Sequence, residues 1–149
     1  MAQTIETRRA VLSDAQVIAN IHRSARAKAM PWLPVIYTPE EELAFFSSRL
    51  RADEMFRVAI VDGEMTGFIA IEGQWINHLY VHPEHWRKGS GARLLSEAKG
   101  FTPHLQLWAF RDNALARAFY LHHGFEEVEF TDGARNEERM PDVRMSWSQ

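Results

Sequence analysis

Apolar and polar positions along the chain change period several times, and each change marks an element. Residues 4–11 alternate, with Ile5, Thr7 and Arg9 set against polar neighbours, and predict a first strand. Ser13 with Gln16 three residues on reads as a helix-opening pair, and Val17, Ile18, Ile21 and Ala25 mark one apolar helical face. A second opening is stronger. Thr38 can cap, Pro39 suits the first helical position and Glu41 completes the box. Leu43, Phe46 and Leu50 supply that helix's buried stripe. Between the two helices, residues 30–37 are apolar but broken by Pro31 and Pro34, which predicts a loop lying against the body of the protein.

Three strands follow. Residues 56–61 turn at Asp62-Gly63, residues 65–72 turn at Gly73-Gln74, and residues 75–82 end before Pro83. Connections this short join only antiparallel neighbours. A helical period returns over residues 89–100, with Gly91, Leu94, Leu95 and Ala98 on one side. Residues 105–109 predict a strand. Residues 113–123 predict a helix with Leu115, Ala118, Phe119 and His122 on one face and Gly124 as its stop. Residues 128–131, starting as early as Phe125, and 143–147 predict closing strands. The order β-α-α-β-β-β-α-β-α-β-β describes an α/β (α+β) fold: a mixed, mostly antiparallel sheet of about seven strands flanked by about four helices.

Composition narrows the class. Apolar residues make up 46% and charged residues 25%, which fits a globular domain and excludes disordered, collagenous and low-complexity chains. A length of 149 residues points to a single domain over 1–149. No apolar run approaches the roughly 20 residues that cross a bilayer. The opening stretch shows no secretory segment, so a cytoplasmic protein with no membrane partner is expected. The chain has no cysteine, which removes disulfides, thiolate metal sites and a cysteine nucleophile together. The formal charge of -3 argues against a nucleic-acid partner.

Candidate chemistry concentrates in residues 78–92, where a strand ends, a short turn holds two cations and two glycines, and a helix begins. Helix N-termini present free N–H groups and about half a positive charge. Arg87 and Lys88 oppose that dipole, and a bound anion reverses the sign of their contribution. The segment therefore reads as a phosphate cradle, although a helix start with solvated cations has the same composition. No Gly-x-x-x-x-Gly-Lys-Ser/Thr loop is present. Gly89-Ser90-Gly91 lacks the third glycine and the parallel βαβ setting of a dinucleotide fold. His78, His82 and His85 do not assemble a metal site, because His78 and His82 stand about 13 Å apart on an extended strand. No metal is expected.

Two motifs carry a resemblance. Leu79-x-Val81-x-Pro83-Glu84-x-x-x-x-Gly89-x-Gly91-x-x-Leu94-Leu95 resembles the acetyl-CoA motif of the GNAT superfamily of N-acetyltransferases. Asn113-x-x-Ala116-x-x-Phe119-Tyr120-x-x-x-Gly124-Phe125 resembles that superfamily's second motif, in the expected order and distance. Where the family's loop usually begins with Arg or Gln, this chain has Trp86.

The resemblance implies acetyl-CoA as co-substrate. Its diphosphate would lie on the backbone amides of Arg87, Lys88, Gly89, Ser90, Gly91 and Ala92. The strand before the loop would splay from its neighbour, leaving the amides of Leu79 and Val81 to pair with the pantetheine arm. The Leu79 amide would donate to the thioester carbonyl. Tyr120 would protonate the departing thiolate, and Asn113 would cap its helix with or without a cofactor contact. Tyr120 also fits a packing tyrosine.

An alkylamine near pKa 10.4 is about 0.05% neutral at pH 7, so some group must accept its proton. The third meander strand offers His78 where many relatives place glutamate, and Glu72 is a second candidate. The favoured alternative for His78 is a half-buried structural histidine. Trp32, Leu33, Tyr37 and residues 132–142 are expected around the acceptor, a small-molecule or peptide amine, with Glu137 and Glu138 either attracting a cationic amine or, the favoured reading, standing as solvated loop charges. The chain is expected as a monomer or homodimer. The rival readings are a non-catalytic acyl-CoA sensor and an acyltransferase for longer acyl chains.

Overall fold

The computed structural model describes residues 4–52 and 54–149; residues 1–3, part of the polar opening stretch, and residue 53 lie outside the described residues. The elements are β1 (Glu6–Arg9), α1 (Ala15–Ala29), α2 (Pro39–Leu50), β2 (Met55–Val61), β3 (Glu64–Glu72), β4 (Trp75–Val81), α3 (Ser90–Phe101), β5 (His104–Phe110), α4 (Ala114–His122), β6 (Glu126–Thr131) and β7 (Asp142–Ser148). Their order is the one expected. The strands form one seven-stranded sheet, β1-β2-β3-β4-β5-β7-β6. Every pairing is antiparallel except β4 with β5, which is parallel and consists of one residue pair, Trp75 with Gln106. The sheet is therefore split beyond that pair.

Each face of the sheet carries its own core. Ile18 and Ile21 of α1 and Phe46 of α2 pack on Phe56, Val58, Phe68 and Ala70. Leu94 and Leu95 of α3 and Tyr120 of α4 pack with Ile69, Ile71, Leu105, Val143 and Met145. Neighbouring residues of β3 thus serve opposite faces, which is why that strand reads as a continuous apolar run.

The register of β3 with β4 slips between Ala70 with His78 and Ile71 with Ile76, leaving Asn77 as an extra residue. The bulge sends Ile76 to the α3/α4 core and His78 to the α1/α2 side, where its ring meets His22 and Phe46.

The α2 opening follows the sequence: Thr38 Oγ1 accepts from the Glu41 amide at 3.1 Å, and Glu41 Oε1 accepts from the Thr38 amide at 3.0 Å. The α1 opening differs. A 3-10 turn (Leu12–Asp14) precedes it, and Asp14, not Ser13, closes the chain end. The Asp14 carboxylate accepts the Val11 amide at 2.8 Å and a two-pronged Arg8 guanidinium at 2.7 and 2.9 Å. Val17, expected on the apolar face, is exposed.

The inward face of α4 also differs. Leu115, Ala118 and His122 are exposed, whereas Ala116, Phe119 and Tyr120 turn inward. Gly124, at φ 88, reverses the chain so that the buried Phe125 packs on Tyr120, which draws the inner face round to that residue.

Candidate active site

The turn between β4 and α3 holds two left-handed residues, Arg87 at φ 64 and Gly89 at φ 98. Such alternation points successive amides into one concavity. The first helical bond runs from the Arg93 amide to the Gly89 carbonyl at 2.9 Å. Among the described residues, the amides of residues 87–92 have no protein acceptor. Arg87 and Lys88 are exposed and, among the described residues, in no ion pair. The Ser90 hydroxyl is not part of this concavity: it is buried against the Thr66 hydroxyl at 2.8 Å and anchors the helix start to β3. A Cβ placed on Gly91 would stand 3.6 Å from Val81 and 3.5 Å from Phe119, so the cradle adjoins the end of β4.

That strand end is open on one side. The His82 amide donates to Thr66 at 2.8 Å. Alternation along the antiparallel pair then turns the amides of His78 and Tyr80 toward β3 and those of Leu79 and Val81 toward the β5 side, where no strand pairs with them. The Trp86 indole reaches back along this edge and donates to the Val81 carbonyl at 2.7 Å. Leu79 packs in the same apolar cluster as Tyr120, which is 7% exposed. Burial first, then the Tyr80 phenol, push the Tyr120 hydroxyl above its ordinary pKa. Among the described residues that hydroxyl has no hydrogen-bond partner. Asn113 caps α4 through Oδ1, which accepts from the Ala116 amide at 3.2 Å, and its Nδ2 donates to the Met30 sulfur at 3.4 Å.

On the opposite face of β4 a cavity of about 640 Å³ opens between α1, α2, residues 30–37 and the β6–β7 loop. His78 lies on its wall, without a hydrogen bond among the described residues. Burial, then His22, Arg26 and Arg49, push the His78 pKa down to about 3. Behind it, His22 Nδ1 donates to Glu42 Oε1 at 2.8 Å, since a carboxylate only accepts. Its Nε2 is buried with no partner among the described residues. Burial, then Arg26 and Arg23, hold His22 at about 3 despite the adjacent carboxylate. Arg23 Nε lies 2.6 Å from Glu42 Oε2 without hydrogen-bond alignment, an ion pair that stays electrostatic.

Several expected cavity residues move. Trp32 does not line it; its ring stands edge-on to Phe110 at 6.3 Å, while Leu33 and Tyr37 do line it. Glu137 and Glu138 are not free loop charges: Glu137 accepts from the Tyr37 hydroxyl and Glu138 pairs with Arg26 at 3.1 Å. Glu72 sits at the distant hairpin with Arg49 and Asn77. The His22–Glu42 and Arg26–Glu138 pairs join residues far apart in the chain. Their one signal was His22 itself, a polar residue four positions after Ile18 in the buried stripe of α1.

A model of the acetyltransferase (GNAT) domain matches residues 52–127. A peptidyl-lysine N-acetyltransferase of Escherichia coli, YiaC, is 33% identical over 87 residues, 58% of each chain. The chain spans 58%, 54% and 44% of the curated relatives it matches. A GCN5-related N-acetyltransferase structure from Rhodopseudomonas palustris superposes with a TM-score of 0.82 at 22% identity, covering 100% of this chain and 99% of that one. The PaiA N-acetyltransferase of Thermoplasma acidophilum, solved with coenzyme A, gives 0.72 at 24% identity, covering 98% and 99%. At these identities the structural likeness is one of fold.

Proposed function

The chain belongs to the GNAT family of acetyltransferases, and from that premise we propose that it moves an acetyl group from acetyl-CoA to a primary amine by direct attack in a ternary complex. The observation that carries this reading is the run of amides at residues 87–92, without acceptors among the described residues, beside the open edge of β4. A diphosphate needs several convergent N–H donors and a helix N-terminus, and this chain supplies both. Bound acetyl-CoA supplies an activated acetyl thioester.

The chain's residues do the rest. The amides of residues 87–92 bind the diphosphate, with the exposed Arg87 and Lys88 adding charge. Leu79 and Val81 offer strand-edge amides to the pantetheine arm, and the Leu79 amide donates to the thioester oxygen as negative charge develops there. Tyr120 keeps its proton across the working pH range and delivers it to the leaving thiolate. His78, on the cavity wall, is the group we assign to take up, directly or through water, the proton that the attacking amine sheds, although burial makes its ring a weaker base than free imidazole. With no cysteine in the chain a thioester on the protein is not available, which leaves direct attack by the amine, our reading, or passage through another nucleophile.

The test is release of free CoA thiol from acetyl-CoA with a panel of primary amines, alongside calorimetric binding of acetyl-CoA. Amine-dependent release supports the reading. Binding with no release across the panel overturns it.

A further inference from the structure

We propose that the acceptor is a compact primary amine with an apolar body, held in the cavity beside His78, and that extended lysyl peptides are shut out; the inference rests on the acetyl-transfer reading above. Three observations converge on it. The first is size and lining. A cavity of about 640 Å³ lies within the range of small-ligand sites, roughly 300–1,000 Å³. Met30, Leu33, Val35, Ile36 and Phe45 give it apolar walls. Val35 and Phe45 are 76% and 48% exposed, so these walls keep apolar surface open to a ligand.

The second is the roof. The Tyr37 hydroxyl donates to Glu137, Arg26 pairs with Glu138 at 3.1 Å, and Arg23 donates to the Tyr37 carbonyl at 2.7 Å. These contacts tie residues 30–37 and α1 to the β6–β7 loop across the cavity. An extended peptide advances about 3.3 Å per residue, so five residues need an open trough of roughly 16 Å. The bridges join lining segments of the cavity to one another and so narrow the room for such a trough. An amine whose whole body fits within the walls meets no such barrier.

The third is charge. Four carboxylates (Glu41, Glu42, Glu137 and Glu138) face two guanidiniums (Arg23 and Arg26), with His22 and His78 neutral. The carboxylates already have protein partners, so they act through the field and not through a dedicated ion pair. Low-dielectric walls focus that field and concentrate a cation. The same walls favour the neutral amine that must attack.

The experiment compares kcat/KM for phenethylamine, spermidine and an N-acetylated lysyl peptide, read as thiol release from acetyl-CoA. The expected result is phenethylamine ahead of both others by at least about tenfold, the scale of apolar-pocket discrimination. Phe45→Ala raises the phenethylamine KM about tenfold on the same scale while acetyl-CoA binding is unchanged. Tyr37→Phe cuts the roof and raises peptide turnover. A wild-type preference for the peptide or for spermidine overturns the acceptor assignment alone. So does a Tyr37→Phe protein whose peptide turnover stays at the wild-type level. Acetyl-CoA binding with none of the three amines acetylated instead removes the acetyl-transfer reading itself, and this inference with it.

Discussion

The Trp86 indole nitrogen stands 2.7 Å from the Val81 carbonyl oxygen and donates to it. That bond fastens the phosphate-loop end to the strand edge on which the Val81 amide also lies. It does locally what a side chain in the loop could do by touching the cofactor. Trp86→Phe keeps the ring and removes the donor. A net hydrogen bond is worth about 1 kcal/mol, so a melting curve should show a loss of that order. With the loop less fixed, the acetyl-CoA Kd should rise about fivefold, the equivalent of the same energy. Calorimetry giving a wild-type Kd would remove Trp86 from cofactor positioning.

Tyr120→Phe separates chemistry from binding. The ring packs against Phe119 and Phe125, and phenylalanine preserves both contacts. The hydroxyl has no partner among the described residues, so its loss leaves no orphaned group behind. Turnover should fall roughly 10²–10⁴-fold, the range for a lost general acid, with acetyl-CoA affinity nearly unchanged. Steady-state kinetics paired with calorimetry decides it; a normal kcat removes the acid role.

Two glycines of one segment should respond in opposite ways. Gly89 sits at φ 98, where an L side chain is strained by roughly 1–2 kcal/mol. Its added Cβ would also lie 3.3 Å from Ile5. Gly89→Ala should therefore destabilise the protein and weaken acetyl-CoA binding at least tenfold. Gly100 lies inside α3 with nothing within 4 Å of a new Cβ. Gly100→Ala should stabilise by roughly 0.5–1 kcal/mol and leave the Kd alone. Equal effects on binding would show that the cradle at Gly89 is not the diphosphate site.

What could be read in advance follows the range of the interaction. Thr38, Pro39 and Glu41 act within one turn, and the Asp62-Gly63 and Gly73-Gln74 turns act between adjacent strands, so all stood in the local pattern. The glycines and cations of residues 87–92 were legible for the same reason. Asp14 displaced Ser13 because Arg8, on the preceding strand, binds its carboxylate, a tertiary contact that a capping rule does not contain. The stripe Leu115, Ala118, Phe119 and His122 predicted the inward face of α4, but the return of Phe125 after Gly124 draws that face round to Ala116, Phe119 and Tyr120. The cavity was least legible. Tyr37 and Glu137 meet across 100 positions of sequence, and His22 and Glu42 across 20. No periodicity encodes such pairs.

His22 and His78 make stability depend on acid. Both are held near pKa 3 in the folded protein, by burial first, against about 6.5 when unfolded. The folded state therefore disfavours protons that the unfolded chain accepts. The stability these groups contribute is present above pH 6.5 and is lost as pH falls from there toward 3. Between pH 7 and pH 5 each ring should remove about 2 kcal/mol, at about 1.4 kcal/mol per pH unit once below 6.5. His78→Phe isolates one of them. The ring is already surrounded by Phe45, Phe46, Phe68 and Tyr80, so phenylalanine fits the aromatic setting. Urea unfolding of that variant at pH 7 and pH 5 should show the acid-induced loss shrink by about one ring's share. Its acetyl transfer should also collapse, because the proton acceptor on the cavity wall is gone. A pH slope identical to wild type would mean that His78 protonates as easily folded as unfolded. Full activity in the same variant would place the base elsewhere on the cavity.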